Sequence, residues 1–107
     1  MYENDRKIIF LSGPITDNED FYLLQFKEAG EHLKRLGFIV FNPAILPTRM
    51  SKESLMNICL AAIKECDVVY FLPGWHESKG CAAEFEAAQN LGKPIFHADK
   101  IDADRRQ

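Results

Sequence analysis

Apolar and polar residues follow one another along the chain in blocks that predict strands and helices in turn. Short apolar runs rich in branched side chains predict four strands, at residues 7–12, 38–41, 67–72 and 94–98. Between them, apolar residues recur at helical spacing and predict three helices, at about residues 21–36, 52–66 and 78–91. The first run, KIIFLS, lacks polar alternation, which is typical of a strand covered on both faces.

Cap and turn residues predict where these elements end. Ser51 is a favourable N-cap for the second helix, and Gly37 and Gly92 are natural stops for the first and third helices. The predicted buried stripes are Tyr22, Phe26, Ala29, Leu33 and Leu36 in the first helix, and Leu55, Ile58, Cys59, Ala62 and Cys66 in the second. Strand–helix alternation with short connections predicts right-handed crossovers and a parallel sheet. We therefore expect a three-layer α/β domain of flavodoxin-like or Rossmann type, with strand order about 2-1-3-4 and helices on both faces.

Composition narrows the class of protein. The 107 residues fit one domain, 1–107, with a charged tail at 99–107. No apolar run is long enough to cross a bilayer and the N-terminus is polar, so we expect neither a signal peptide nor a membrane partner. Three cysteines without paired spacing predict reduced, buried thiols in a cytoplasmic protein, not disulfides or a zinc site. The net charge of −3 disfavours a nucleic-acid polymer as partner, whereas a small anion needs only a few local donors.

The expected strand order puts a crevice at the carboxyl ends of the first and third strands, between loops 12–16 and 73–79. Glu84, in the helix after the second of these loops, falls on the flank of the face that should pack on the sheet. Glu86 falls on the opposite side and should be solvated. Glu84 is therefore the candidate for chemistry, although it could instead stabilise the helix start or pair with a cation.

Residues around the crevice have two interpretations each. The turn at Gly13 and Pro14 can offer backbone amides to a ligand, or it can be an ordinary turn between a strand and a helix. Ser78, with Gly80, can bind an anion at the helix N-terminus or serve as a plain N-cap. Trp75 can stack on a ring or fasten its loop, and His76 can act as acid, base or phosphate contact or can be merely solvated.

Several common site types are not indicated by the sequence. Neither the glycine-rich dinucleotide fingerprint nor the P-loop is present, so classical dinucleotide or ATP use has no support. The serine–histidine–aspartate order of acyl-transfer enzymes is also missing. We expect no cofactor and no metal ion.

Three segments carry a family resemblance: FLSGPIT, FNPA, and CDVVYFLPGWHESKGCAAEFEAAQNLGKPI. In this order and spacing they resemble the DUF4406 family of the nucleoside 2-deoxyribosyltransferase-like superfamily. The resemblance implies that Glu84 is a nucleophile that attacks C1′ of a deoxyribosyl group and expels the base. Related 2′-deoxynucleoside 5′-monophosphate N-glycosidases have a phosphate-binding serine where Ser78 stands, whereas the transferases tend to have an aspartate. The implied substrate-binding residues are Ser12, Gly13, Pro14, Ile15, Asn42, Gly74, Trp75, Ser78 and Gly80.

One position departs from the pattern of the N-glycosidases, which have an acidic residue near Cys59. A thiol is a poor proton donor to a departing base, so His76, Glu77 or Asp17 would have to replace that acid, or the base leaves with less help. The resemblance implies cleavage of the N-glycosidic bond of a (deoxy)nucleoside 5′-monophosphate, by hydrolysis or by transfer, in a homodimer or higher homo-oligomer. The alternatives are a non-catalytic module that binds or sequesters a nucleotide, and a purely structural role.

Overall fold

A computed structural model describes residues 6–14 and 19–98 of the chain. Its four strands are β1 (Ile8–Ser12), β2 (Ile39–Phe41), β3 (Val68–Phe71) and β4 (Ile95–His97). Its three α-helices are α1 (Glu19–Arg35), α2 (Lys52–Glu65) and α3 (Lys79–Asn90). Short 3-10 helices at Pro43–Ile45 and Trp75–Glu77 follow β2 and β3. The charged tail and the predicted site residues Ile15 and Asp17 lie outside the described residues.

The sheet is parallel throughout, and its order is β2-β1-β3-β4. Phe10 of β1 lies opposite Phe41 of β2 on one side and Val69 of β3 on the other. The reversal of strand order between β1 and β3 puts the switch point where the sequence predicts it. Fold class and strand order are therefore confirmed.

Helices cover both faces of the sheet, and the sheet divides the core into two clusters. Alternate residues of β1 point to opposite faces, as the pleat of a strand requires. Ile9 and Leu11 pack with Phe26 of α1, whereas Phe10 packs with Ile63 of α2 in a second cluster that includes residues of α3. This division fixes which side chains at the strand ends can reach α3.

Most predicted helix ends and stripes are confirmed. Ser51 caps α2 by accepting a hydrogen bond of 3.0 Å from the Ser54 amide, and Gly37 adopts a left-handed φ of 101° just beyond α1. The expected burial of Leu36 is wrong. Leu36 is 59% exposed, because α1 ends at Arg35 and the turn that follows takes Leu36 off the buried stripe. Ile63, missing from the predicted stripe of α2, is fully buried. α2 packs on both the sheet and α3, which widens its buried face.

The three cysteines, Cys59, Cys66 and Cys81, are free and buried, which confirms their expected burial. Burial raises the pKa of Cys66 to about 11. Within residues 6–14 and 19–98, no helix combines the length and the hydropathy needed to span a membrane.

Candidate functional site

A cavity of about 670 Å³ opens at the carboxyl edge of the sheet. It lies where β1, the segment after β2, and the N-terminal parts of α2 and α3 meet. The described residues that line it are Gly13, Tyr22, Pro43, Ala44, Leu46, Thr48, Met50, Lys52, Leu55, Met56, Cys59, Ser78, Lys79, Gly80, Cys81 and Glu84. A cavity of this size, mostly apolar with a few convergent polar groups, is typical of a small-molecule site.

Among the described residues that line this cavity, Glu84 is the one with an acidic side chain. It lies in the second turn of α3, is only 8% exposed, and faces the fold, whereas Glu86 is exposed to solvent. The predicted placement of these two carboxylates is thus confirmed. A carboxylate with so little contact with water needs donors from the protein, because burial of an unpaired charge is costly.

The donors come from β1 and α2. The Ser12 hydroxyl donates a buried hydrogen bond of 2.6 Å to Oε1 of Glu84, and the Cys59 thiol adjoins the same carboxylate. Burial raises the pKa of Glu84 above its ordinary value, and these two partners oppose that shift because they favour the charged form. Burial, together with the charge of Glu84, raises the pKa of Cys59 to about 12. The thiol therefore stays protonated at physiological pH.

The cavity mouth is cationic. Lys52 and Lys79 are the first residues of α2 and α3, and both line the cavity with exposed side chains. Ser78 is the N-cap of α3: its hydroxyl oxygen accepts a hydrogen bond of 3.3 Å from the Cys81 amide, so its own proton can be donated to a ligand. The positive end of the α3 dipole adds to the lysine charges. This mouth suits an anionic group.

Gly80 leaves space between Ser78 and α2. A Cβ at Gly80 would lie 3.5 Å from Met56 Cε and 3.8 Å from Ser78 Oγ, which are ordinary contacts. We expect Gly80→Ala to fold normally and to gain up to about 1 kcal/mol, because alanine favours the helix more than glycine does. The methyl group would occupy cavity space beside the Ser78 hydroxyl and weaken binding of a small anionic ligand several-fold, which calorimetric titration measures.

Ala82→Gly is the matched control for this change. Ala82 is exposed in the same helix and does not line the cavity. The control should lose about 1 kcal/mol of stability and keep its affinity. Equal affinities of Gly80→Ala and the wild-type protein would show that this part of the cavity holds no ligand group.

The two loops of the predicted crevice do meet. Gly13 lines the cavity, and a Cβ there would lie only 3.0 Å from the Leu72 side chain and 3.1 Å from that of Phe26. Close packing therefore demands glycine at this position. Gly74 has a left-handed φ of 86°, and a Cβ on it would lie 3.4 Å from the Pro14 ring, so these two residues join the loops. Neither of them is among the described lining residues.

Several predicted site residues lie elsewhere. The Trp75 ring stacks on Phe85 with centroids 4.8 Å apart and lies 4.9 Å from that of Phe71. It thus fastens its loop to the sheet and α3, and it is not among the described residues that line the cavity. His76 and Glu77 follow it in an exposed turn and do not line the cavity, so their prediction as proton donors lacks geometric support.

Asn42 is also outside this cavity. Its Oδ1 accepts a hydrogen bond of 2.9 Å from the Ala44 amide and caps the 3-10 helix at Pro43–Ile45. The side chain lines a separate depression of about 320 Å³ beside α1. Asn42 therefore shapes the segment after β2 and does not reach Glu84's cavity.

Sequence reasoning missed the wall formed by the segment after β2 and the start of α2. Leu46, Met50 and Met56 belong to this wall, as does Lys52. A signal was available, because β2 is parallel to β1 and its carboxyl end must open on the same edge of the sheet. The segment after β2 therefore forms a third side of the cavity, beside the loops after β1 and β3.

Comparison with solved structures shows that this architecture is an α/β domain of the nucleoside deoxyribosyltransferase fold. The structure is similar to that of the CMP N-glycosidase BcmB of Clostridium botulinum, with a TM-score of 0.65 and 26% identity over 85% of this chain and 70% of that one. It is similar to a 2-deoxyribosyltransferase of Bacillus psychrosaccharolyticus, with a TM-score of 0.65 and 26% identity over 84% of this chain and 70% of that one. A Leishmania mexicana 2-deoxyribosyltransferase shares the fold, with a TM-score of 0.67 and 22% identity over 85% of this chain and 63% of that one.

The family follows from the sequence itself. Residues 7–97 match the model of the domain of unknown function DUF4406, and the chain belongs to that family. No curated protein matches the chain.

Proposed function

We propose that this protein cleaves the N-glycosidic bond of a nucleoside 5′-monophosphate, with Glu84 as the nucleophile. The observation that carries the proposal is the buried Glu84 carboxylate inside a cavity whose mouth is bordered by Lys52 and Lys79. Similarity to an N-glycosidase that acts on CMP and to a 2-deoxyribosyltransferase supports the same class of reaction. The proposal includes the cytoplasmic homodimer or higher homo-oligomer expected from the sequence.

In the proposed reaction the Glu84 carboxylate is first the nucleophile and then the leaving group. A Glu84 oxygen attacks C1′ of the sugar as the bond from C1′ to the base nitrogen breaks, and the electron pair leaves with the base. The resulting glycosyl ester is then hydrolysed by water, which restores the carboxylate and releases the sugar phosphate. Transfer would differ only in the last step, where a second base attacks C1′ in place of water.

Water is the proposed source of the proton that the base acquires. Cys59, with its pKa raised to about 12, is a very weak acid, and His76 and Glu77 lie outside the cavity. Exposed side chains at Lys52 and Lys79 mark an opening through which solvent can enter. A base that leaves without a strong acid leaves slowly, so we expect formation of the glycosyl ester to limit the rate.

Incubation with each ribo- and deoxyribonucleoside 5′-monophosphate, followed by chromatography, tests the reaction directly. Free base and sugar phosphate in equal amounts would support hydrolysis. A new nucleotide formed only when a second base is added would support transfer. Full recovery of every nucleotide after prolonged incubation would contradict the proposed chemistry.

The phosphate is expected to bind at the cationic mouth. In a Lys52→Gln/Lys79→Gln double variant, we expect KM for a nucleoside monophosphate to rise about 10- to 100-fold, because two charge-assisted contacts are lost. KM for the corresponding nucleoside, which has no phosphate, should stay within twofold. Steady-state kinetics with the two substrates measures this difference.

Lys64→Gln is the matched control for the double variant, since Lys64 is exposed in the last turn of the same helix, far from the cavity mouth. It removes one of the two positive charges that the double variant loses, away from the cavity mouth, and should leave both KM values unchanged. If the double variant weakened nucleoside and nucleotide binding equally, the lysines would not bind the phosphate.

A second candidate function is nucleotide binding without turnover. It is favoured by the weak acidity of Cys59, the described side chain beside Glu84 that could otherwise have served as acid. Thermal-shift measurements separate the two functions when they are combined with base release. Stabilisation by nucleotides without release of base would support a binding or sequestering module.

A further inference from the structure

Ser12 is the single polar side chain in the strand sequence IIFLS of β1. It is the last residue of the strand and only 1% exposed. Its position in the pleat puts it on the same face as Phe10, which packs against α2 and α3, and opposite to Ile9 and Leu11. A polar side chain buried there must have a partner on those helices.

The partner is Glu84. The hydroxyl of Ser12 donates to Oε1 of the carboxylate at 2.6 Å, across 72 positions of sequence. This is the short distance typical of a hydroxyl bound to a charged acceptor. A glutamate side chain has several rotatable bonds, and this contact ties its end to a rigid strand in the centre of the sheet. Ser12 engages Oε1 and the Cys59 thiol adjoins the same carboxylate, but each carboxylate oxygen accepts about two hydrogen bonds, so Oε2 keeps a lone pair for a further partner.

We infer that Ser12 is a positioning residue, whose hydroxyl holds Oε1 of Glu84 so that Oε2 is left to attack C1′. The inference rests on the proposed function, since it deepens the role given there to Glu84. It replaces the expectation that Ser12 contacts the substrate. Ser12 is not among the described residues that line the cavity, whereas Glu84 is.

The hydroxyl also keeps Glu84 ionised in a buried place. A hydrogen bond to the charged form of a carboxylate lowers its pKa, and here it opposes the rise that burial causes. Removal of the hydroxyl should therefore raise the pKa of Glu84 further. As the pH is lowered, activity that needs the ionised carboxylate would then be lost at a higher pH than in the wild-type protein.

Other groups around Glu84 come from each helix packed against it. The titratable or charged described residues that line the same cavity are Tyr22 of α1, Lys52 and Cys59 of α2, and Lys79 and Cys81 of α3. Burial raises the pKa of both thiols, that of Cys59 to about 12, so they remain uncharged in acidic and neutral solution. Between acidic and neutral pH the titration is therefore dominated by Glu84.

Ser12→Ala tests the inference by kinetics. We expect kcat for base release to fall about 10- to 100-fold while KM stays within twofold, because the nucleophile is misplaced but the substrate contacts remain. The acid limb of the pH profile should move up by about one unit. Ser12→Cys keeps a weaker donor. Its kcat and the position of its acid limb should therefore lie between those of the wild-type protein and those of Ser12→Ala.

A matched control separates positioning from general loss of stability. Ile63→Val removes one methylene from the fully buried core of α2, away from the cavity lining. It should lower the unfolding temperature but leave kcat and the acid limb unchanged. A raised KM with unchanged kcat in Ser12→Ala would overturn the inference and restore Ser12 as a substrate contact.

A titration without substrate distinguishes failure of this inference from failure of the proposed function. In protein labelled with ¹³C at the glutamate side-chain carboxyl carbon, the signal of Glu84 is identified by its loss in Glu84→Gln. Its titration midpoint should be higher in Ser12→Ala than in the wild-type protein, whether or not any base is released. An unchanged midpoint would overturn the inference even if the enzyme is active.

Discussion

Glu84→Gln should release base from a nucleoside 5′-monophosphate at least about a thousandfold more slowly than the wild-type protein. The amide keeps the size of the side chain and can still accept a hydrogen bond from Ser12, so the cavity should keep its shape. It cannot form the glycosyl ester, because an amide is a far weaker nucleophile than a carboxylate. Chromatography of released base over long incubation measures the loss.

Glu86→Gln is the matched control, because Glu86 lies two residues further along the same helix and is exposed. It removes the same charge from α3 and should leave the rate within twofold. Rates in Glu84→Gln equal to those of the wild-type protein would exclude Glu84 as the nucleophile and favour binding without turnover.

Glu84→Gln is also expected to change the stability of the fold, and the burial of the carboxylate determines the sign of this change. The pKa of Glu84 is higher in the folded than in the unfolded chain, mainly because burial disfavours the charge. At neutral pH the wild-type protein therefore bears a cost that Glu84→Gln lacks, and the variant should melt at the same or a higher temperature. As pH falls through the raised pKa towards the unfolded value of about 4.3, the wild-type carboxylate takes up a proton and the difference disappears.

The fold could be predicted because its signals are local. Periodicity separates strands from helices, Ser51 and Gly37 mark helix ends, and alternation of elements with short loops leaves few topologies. The same periodicity distinguishes the buried Glu84 from the exposed Glu86. Leu36 shows the limit, since its burial depends on whether the helix continues for one more residue.

The contacts of Glu84 could not be predicted in the same way. Ser12 lies 72 residues away from it in sequence, and Cys59 reaches it from another helix. Such contacts depend on how closely α2 and α3 approach, which no local pattern specifies. The sequence does predict the face of the sheet on which Ser12 lies. Ser12 follows Phe10 by two residues in the same strand, so the two side chains point to the same face.

Trp75 shows why a loop residue is hard to interpret from sequence. Its partners come from three separate elements: Phe71 of β3, Phe85 of α3 and His97 of β4, with ring centroids 4.8 to 5.3 Å apart. The sequence shows only that it follows Pro73 and Gly74 in a turn. The aromatic cluster formed by these four rings holds the loop that leads to Ser78 and α3.

Phe71→Ala is expected to cause the largest loss of stability among the substitutions considered, about 3–5 kcal/mol. The Phe71 side chain is fully buried, and its ring contacts all three other rings of the aromatic cluster. Truncation removes buried apolar surface and leaves a cavity that the surrounding rings can only partly fill. A domain of this size has a total stability of about 5–15 kcal/mol, so urea denaturation should show a much lower midpoint.

Phe96→Ala is the control that isolates burial from the loss of a phenyl ring in a strand. Phe96 lies on the neighbouring strand β4, next to Tyr70 in register, and is 46% exposed. Its truncation should cost no more than about 1 kcal/mol. Similar losses in the two variants would mean that the aromatic cluster does not stabilise the β3–α3 region, and the loop before α3 would need another explanation for its order.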